Sequence, residues 1–364
     1  MASLREAQFR HAQHYESTLR SANNRYLEGG HTLAEGISVF DREWANIQTA
    51  YAWTEKWGTT DSEAASVCTA INDGGSHLLD LRQHPIERIR WLNMALTATR
   101  GLARDSLMRC LFLSALGVAH LHVRNAREAV KYLKDSLAIA KVLKNGYAAA
   151  VAIGNLGHAY LQLGEVDRAI KYFRYDLDIC QQNDDIRGVG EAFLNLGSAY
   201  SQTGNTEDAV QCFEQSLRVS RQCGARKNEA GALGNLGILY RHSGEVAKAI
   251  EYQKNALDLF RAIGDMRGES NSLGNLGLAH ADLGEHENAL RYYEAQLLVA
   301  IEINDPRGQA NSRYNSSLVL HRIGKRSLAL DRARTALRIY EQIEDAYALR
   351  KVRERLTVWT HQDA

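Results

Sequence analysis

One period governs this chain. Gly117, Gly157, Gly197, Gly237 and Gly277 stand forty residues apart, and Ser317 takes the next place. A short phrase surrounds them: NLGHAY at 155–160, NLGSAY at 195–200, NLGILY at 235–240 and NLGLAH at 275–280. Weaker copies read ALGVAH at 115–120 and NSSLVL at 315–320. A second ladder (Gly164, Gly204, Gly244, Gly284, Gly324) and a third (Ala129, Ala169, Ala209, Ala249, Ala289, Ala329) keep the same register. Self-similarity at this length means supersecondary blocks that cannot bury their apolar face alone and must stack. The usual expectation of two or three globular domains for 364 residues therefore does not apply.

Each period reads as two helices. The first opens at Asn145, Asp185, Ala225, Asp265 or Asp305, and four of these five residues can cap a helix. Pro306 suits a first helical turn. The second helix carries an apolar face, as with Ile170, Tyr172, Phe173, Leu177 and Ile179. Only two prolines, Pro85 and Pro306, occur in the whole chain, which fits helix almost throughout. The expected fold is all-α, an α-solenoid. An N-terminal helical region (1–60) and a degenerate, repeat-like helix pair (61–105) precede six forty-residue repeats (106–345). A C-terminal capping helix and tail (346–364) follow, rich in Arg350, Lys351, Arg353 and Arg355.

In the N-terminal part the pattern predicts helices over 2–27, 33–57, 62–82 and 86–100, with a break at EGGHT (28–32) and Thr60 or Asp61 as a cap. Trp44, Trp53, Trp57 and Trp91 gather there. They either fill an irregular core that caps the stack or offer a docking face.

Composition narrows the function. A net charge of +1 gives no field favouring nucleic acid or an anionic membrane. No apolar run spans a bilayer, and the first residues lack the apolar core of a secretory signal. Five cysteines, odd in number and without CxxC spacing, point to free thiols in a reducing compartment, so a soluble cytoplasmic protein is expected. P-loop, HExxH, GxSxG and kinase signatures are missing from the sequence. His11 with His14, and His120 with His122, lack further ligands at metal spacing. The expectation is no enzyme, no cofactor, no metal and no catalytic residue.

The repeated residues carry a family resemblance. Leu156, Gly157, Tyr160, Ala169 and Phe173 occupy consensus places of the tetratricopeptide repeat. The forty-residue period resembles its long-helix variety, found in Leu-Gly-Asn-repeat adaptors, kinesin light chains and the sensor arms of STAND-type NTPases. The stretches YLEGGHTLAEGISVFDREWANIQTAYAW and PIERIRWLNMAL are similar to the segment leading into the repeats of STAND proteins. The resemblance implies a right-handed superhelix whose first helices line a concave groove, with the Asn before each Leu-Gly facing it.

Those residues are Asn155, Asn195, Asn235, Asn275 and Asn315. An amide offers donor and acceptor together and can pair with a peptide unit of any sequence. His158, Gln162, Glu191, Gln202, His242, Asn271 and Asn311 are the other groove candidates. Gly154, Gly234 and Gly274 would leave room for a ligand chain. The competing reading is that the asparagines bridge neighbouring helices. Glycines of the Gly157 type and alanines of the Ala169 type are explained by close helix contact. Where the Leu-Gly-Asn-repeat adaptors carry Arg near the helix start, this chain holds Leu111, Val151, Glu191, Gly231, Asn271 and Asn311, and the Lys of chaperone-type carboxylate clamps is missing from the groove places. An acidic ligand or a terminal carboxylate is therefore not expected. The function expected is a non-enzymatic scaffold holding a protein or an extended peptide in its groove. Alternatives are a sensor or regulatory arm of a STAND-type NTPase, and an intracellular receptor for a short signalling peptide.

Overall fold

The computed structural model describes residues 4–28, 31–99 and 105–361 and, among them, eighteen helices and no strand. They fall into two compact units, Met1–Asp185 and Ile186–Ala364. No described helix is long and apolar enough to cross a membrane.

The first unit begins with α1 (Leu4–Glu28) and α2 (His31–Trp57), which pack along each other. Gly29 and Gly30 of the expected break lie outside the described residues. Asp61 caps α3 (Ser62–Gly74), its Oδ1 accepting from the N–H of Glu63 at 2.9 Å and of Ala64 at 3.2 Å. The sequence predicts one helix over 62–82, but the chain breaks at Gly75 and restarts as α4 (Ser76–Arg82). The cause lies on α1. Leu19 fills the place of a Cβ at Gly75, 2.4 Å away, and Asn23 Oδ1 accepts from the N–H groups of His77 and Leu78. A side chain of one helix thus caps the start of another.

Pro85 opens α5 (Pro85–Ala98). The tryptophans enter the core here. Tyr51 stacks on Trp91 at 3.7 Å and donates its hydroxyl to the Trp91 carbonyl, Trp44 lies between Phe40 and Trp91, and Trp53 meets Phe9. Two helix pairs complete the unit: α6 (Asp105–His122) with α7 (Ala126–Val142), and α8 (Gly146–Gln162) with α9 (Val166–Gln182).

The second unit continues the pattern with α10 (Ile186–Gln202) and α11 (Thr206–Cys223), then α12 (Arg226–His242) and α13 (Val246–Ile263). Next come α14 (Met266–Asp282) and α15 (His286–Glu302), α16 (Pro306–Arg322) and α17 (Arg326–Gln342), and a single last helix, α18 (Ala346–His361). Within this unit each helix packs mainly on the next in sequence, as in an α-solenoid. Gly164, Gly204, Gly244, Gly284 and Gly324 end the first helices with positive φ, the left-handed turn that favours glycine.

The other glycine ladder makes the pairs. A Cβ on Gly157 would lie 2.3 Å from the Phe173 ring; the matching distances are 2.6 Å for Gly197 to Phe213 and 2.5 Å for Gly277 to Tyr293. The three rings are almost fully buried. Burying one contributes about 1.5–3 kcal/mol, more than the roughly 1 kcal/mol that glycine costs inside a helix. The close contact is therefore helix backbone against ring.

This contact separates the two glycine types. Gly157→Ala should destabilise the protein by about 1–3 kcal/mol, because a buried ring must move. At Gly234 the nearest atom to an added Cβ is 3.9 Å away. Gly234→Ala should instead stabilise by up to about 1 kcal/mol. Thermal unfolding of the two variants checks the opposite signs.

A candidate ligand-binding stripe

Residues at i, i+4, i+7 and i+11 share one face of a helix. On α8 these are Val151, Asn155, His158 and Gln162. Asn155 is half-buried and the other three are exposed, whereas Ala148, Ala149, Ala152, Ile153, Leu156, Gly157, Ala159 and Tyr160 are buried. Packing therefore uses the rest of the helix and leaves this stripe. The stripe of α6, against which α8 packs, is Leu111, Ala115, Val118 and His122. Gln162 Nε2 donates to the Leu121 carbonyl at 3.1 Å and ties the two helix ends together. His158 is reached by solvent yet hemmed in by protein, its ring edge-on to Phe173 at 5.2 Å, and desolvation lowers its pKa.

In the second unit the stripes are Glu191, Asn195, Ser198 and Gln202 on α10, then Gly231, Asn235, Ile238 and His242 on α12. They continue as Asn271, Asn275, Leu278 and Asp282 on α14, and Asn311, Asn315, Leu318 and Arg322 on α16. All sixteen are half-buried or exposed. Helix α10 meets α12, α12 meets α14 and α14 meets α16, so the stripes lie side by side. Asn195, Asn235, Asn275 and Asn315 then form one row of half-buried amides.

Several of these groups serve the fold. Asn311 Oδ1 accepts from the Tyr340 hydroxyl at 2.6 Å, Ser198 Oγ donates to the Leu194 carbonyl, and Asp282 pairs with Arg241 at 2.9 Å. The row of amides does not. Among the described residues, no hydrogen bond involves the side chain of Asn155, Asn195, Asn235, Asn275 or Asn315. Bridging between helices thus has no bond to rest on.

The glycines in front of them are a correction. A Cβ on Gly154 would meet Asp176 Oδ2 at 3.2 Å, and one on Gly274 would meet Gln296 Nε2 at 2.6 Å. The Gly234 carbonyl accepts from Gln253 Nε2 at 2.7 Å. Gly154 and Gly274 therefore make room for the partner helix of their own pair, not for a ligand, while a Cβ on Gly234 would meet only ordinary contact at 3.9 Å. Among the described residues, no group of three or more His, Cys, Asp or Glu is placed to hold a metal ion.

The tetratricopeptide-repeat profile matches residues 107–182, 155–222, 188–262, 228–294 and 268–342. No curated protein matches the chain. Among solved structures, the apo form of the quorum sensor NprR from B. thuringiensis is similar at 15% identity and a TM-score of 0.64, over 96% of this chain and 94% of that one. A Rap protein complexed with competence and sporulation factor gives 16% and 0.59, over 90% and 98%. The STAND protein with a tetratricopeptide repeat sensor from Pyrococcus horikoshii gives 18% and 0.59, over 93% of this chain but 52% of that protein. At such identities the likeness is one of fold.

His158 makes the stripe pH-sensitive. Its folded pKa lies below the free value of 6.5, so the unfolded chain takes up the proton first as pH falls. The stability this group contributes is complete above about pH 6.5 and is lost as pH drops through the folded pKa. His158→Gln should lose less thermal stability than the parent between neutral pH and about pH 5. A His158 titration midpoint at or above the free value, seen by NMR, would contradict this.

Proposed function

The chain belongs to the tetratricopeptide-repeat family, and from that membership we propose that it is a non-enzymatic scaffold holding a protein or an extended peptide along the stripes of its first helices. The observation that carries this reading is the row of half-buried asparagines whose side chains have no hydrogen bond among the described residues. Asparagine is a poor helix former and costs roughly half a kcal/mol or more against alanine. Packing does not repay that cost here. A peptide backbone pairing with each amide does, at about 0.5–1.5 kcal/mol net per bond.

Between the two narrower readings, a receptor for a short signalling peptide is favoured over the arm of a STAND-type NTPase. The support is likeness of fold: the TM-score is 0.64 to the quorum sensor and 0.59 to the STAND protein. The five cysteines are all free, which suits the cytoplasm, where such a receptor would work.

The triple variant Asn195→Ala, Asn235→Ala and Asn275→Ala tests the reading. Peptides selected against the full chain from a random library should lose about a hundredfold in affinity, three bonds at roughly 1 kcal/mol each. Thermal stability should hold or rise, since alanine is the better helix former. Unchanged affinity with a lowered melting temperature would make the amides structural and end the proposal.

A further inference from the structure

The forty-residue register does not stop at the last helix pair. Asp345 stands forty residues after Asp305, and its Oδ1 accepts from the Ala348 N–H at 3.1 Å, so α18 starts where another first helix would. The buried positions repeat as well. Val352 and Trp359, forty after Ser312 and Val319, are 1% and 4% exposed. Val352 packs with Ala310 and Tyr314 of α16 and with Ala336 and Tyr340 of α17. Trp359 packs with Leu320, Ala329 and Ala333 and stacks on His321 at 4.3 Å.

The open face of α18 is then the open face of a first helix. Lys351, Arg355 and Val358 stand forty after Asn311, Asn315 and Leu318, and all three are exposed. In register, the row of amides ends on Arg355, and the row beside it ends on Lys351. Both cations are set against α16. Lys351 Nζ lies 5.6 Å from the centre of the Tyr314 ring. Arg355 lies by the buried Tyr314 hydroxyl. Among the described residues neither cation is in an ion pair, whereas Arg353 on the same helix pairs with Glu341 at 2.7 Å. Glu354 is the one acid on α18 against four Arg and Lys.

Resting on the scaffold reading above, we propose that Lys351 and Arg355 bind a carboxylate of the ligand and so give the second unit's stripe a direction. The ligand backbone runs along the neutral amides, and an acidic side chain or the terminal carboxylate meets the cations of α18. Two cations four residues apart converge on one face of the helix. Charge at one end of an otherwise neutral row fixes which way an extended chain lies. The matching places of the six repeats hold no cation.

Peptides selected on the full chain would be synthesised with acids intact or changed to amides, each with a free or an amidated C-terminus. Binding would be measured to the parent, to Lys351→Glu with Arg355→Glu, and to the triple asparagine variant. Removing the right carboxylate should weaken binding to the parent by about tenfold or more, with the loss shrinking as salt rises. On the doubly charge-reversed variant the same change should matter by no more than roughly twofold. The terminus comparison assigns the carboxylate to chain end or side chain. Lys351→Ala with Arg355→Ala, which removes charge without reversing it, guards against a cap that fails to pack. Peptides that need the asparagines but ignore both their own charge and these two cations would overturn this inference and leave the scaffold reading intact. Peptides indifferent to the asparagines would overturn both.

Discussion

A glycine on one helix set against a ring on its partner is the contact on which the rest depends. The Phe173 ring occupies the place of a side chain on Gly157, and Phe213 and Tyr293 do the same at Gly197 and Gly277. The contact also fixes rotation. Successive residues turn about 100° around a helix, so a residue two places before the glycine points roughly to the opposite side. With Gly157, Gly197, Gly237 and Gly277 turned inward, Asn155, Asn195, Asn235 and Asn275 are turned out. The same ladder that closes each pair therefore aims the amides.

The first helices of the first unit and the last helix of the second are packed by different means. At the start, Trp44, Trp53, Tyr51 and Trp91 build an aromatic core around helices that do not follow the period. At the finish, the last pair has Ser317 and Ala333 where the others have glycine and a larger side chain. That pair is covered from outside, by Trp359 against Ala333 and Leu320. One large ring on α18 supplies the bulk that the pair itself lacks.

The period, the helix pairs, the caps at Asn145 and Asp265 and the proline at the start of α16 were all legible, because each rests on local chemistry. What escaped depends on contacts between distant parts. The break at Gly75 is made by Leu19 and Asn23, more than fifty residues away in sequence. The role of Gly154 and Gly274 depends on Asp176 and Gln296 of the second helix, and a glycine does not announce which neighbour it admits. The stripe of α18 was hidden for another reason. The Asn-Leu-Gly phrase is gone from 346–361, and only the forty-residue spacing of Asp345, Val352 and Trp359 from their counterparts reveals the kinship.

The weakest copy of the phrase separates the duties of its parts. In NSSLVL the leucine and the glycine are both replaced, and the fold adapts: Ser316 and Ser317 are fully buried and donate to the Arg313 and Tyr314 carbonyls. Packing at this pair therefore does not require the Leu-Gly of the others. Asn315 stays an asparagine, half-buried and at the same point of the stripe. Were the amide only a companion of the glycine contact, it would have no reason to remain where that contact is gone. Its persistence ties it to the open face it shares with Asn195, Asn235 and Asn275. On α18 that place passes to Arg355, and the row changes from neutral amides to a cation.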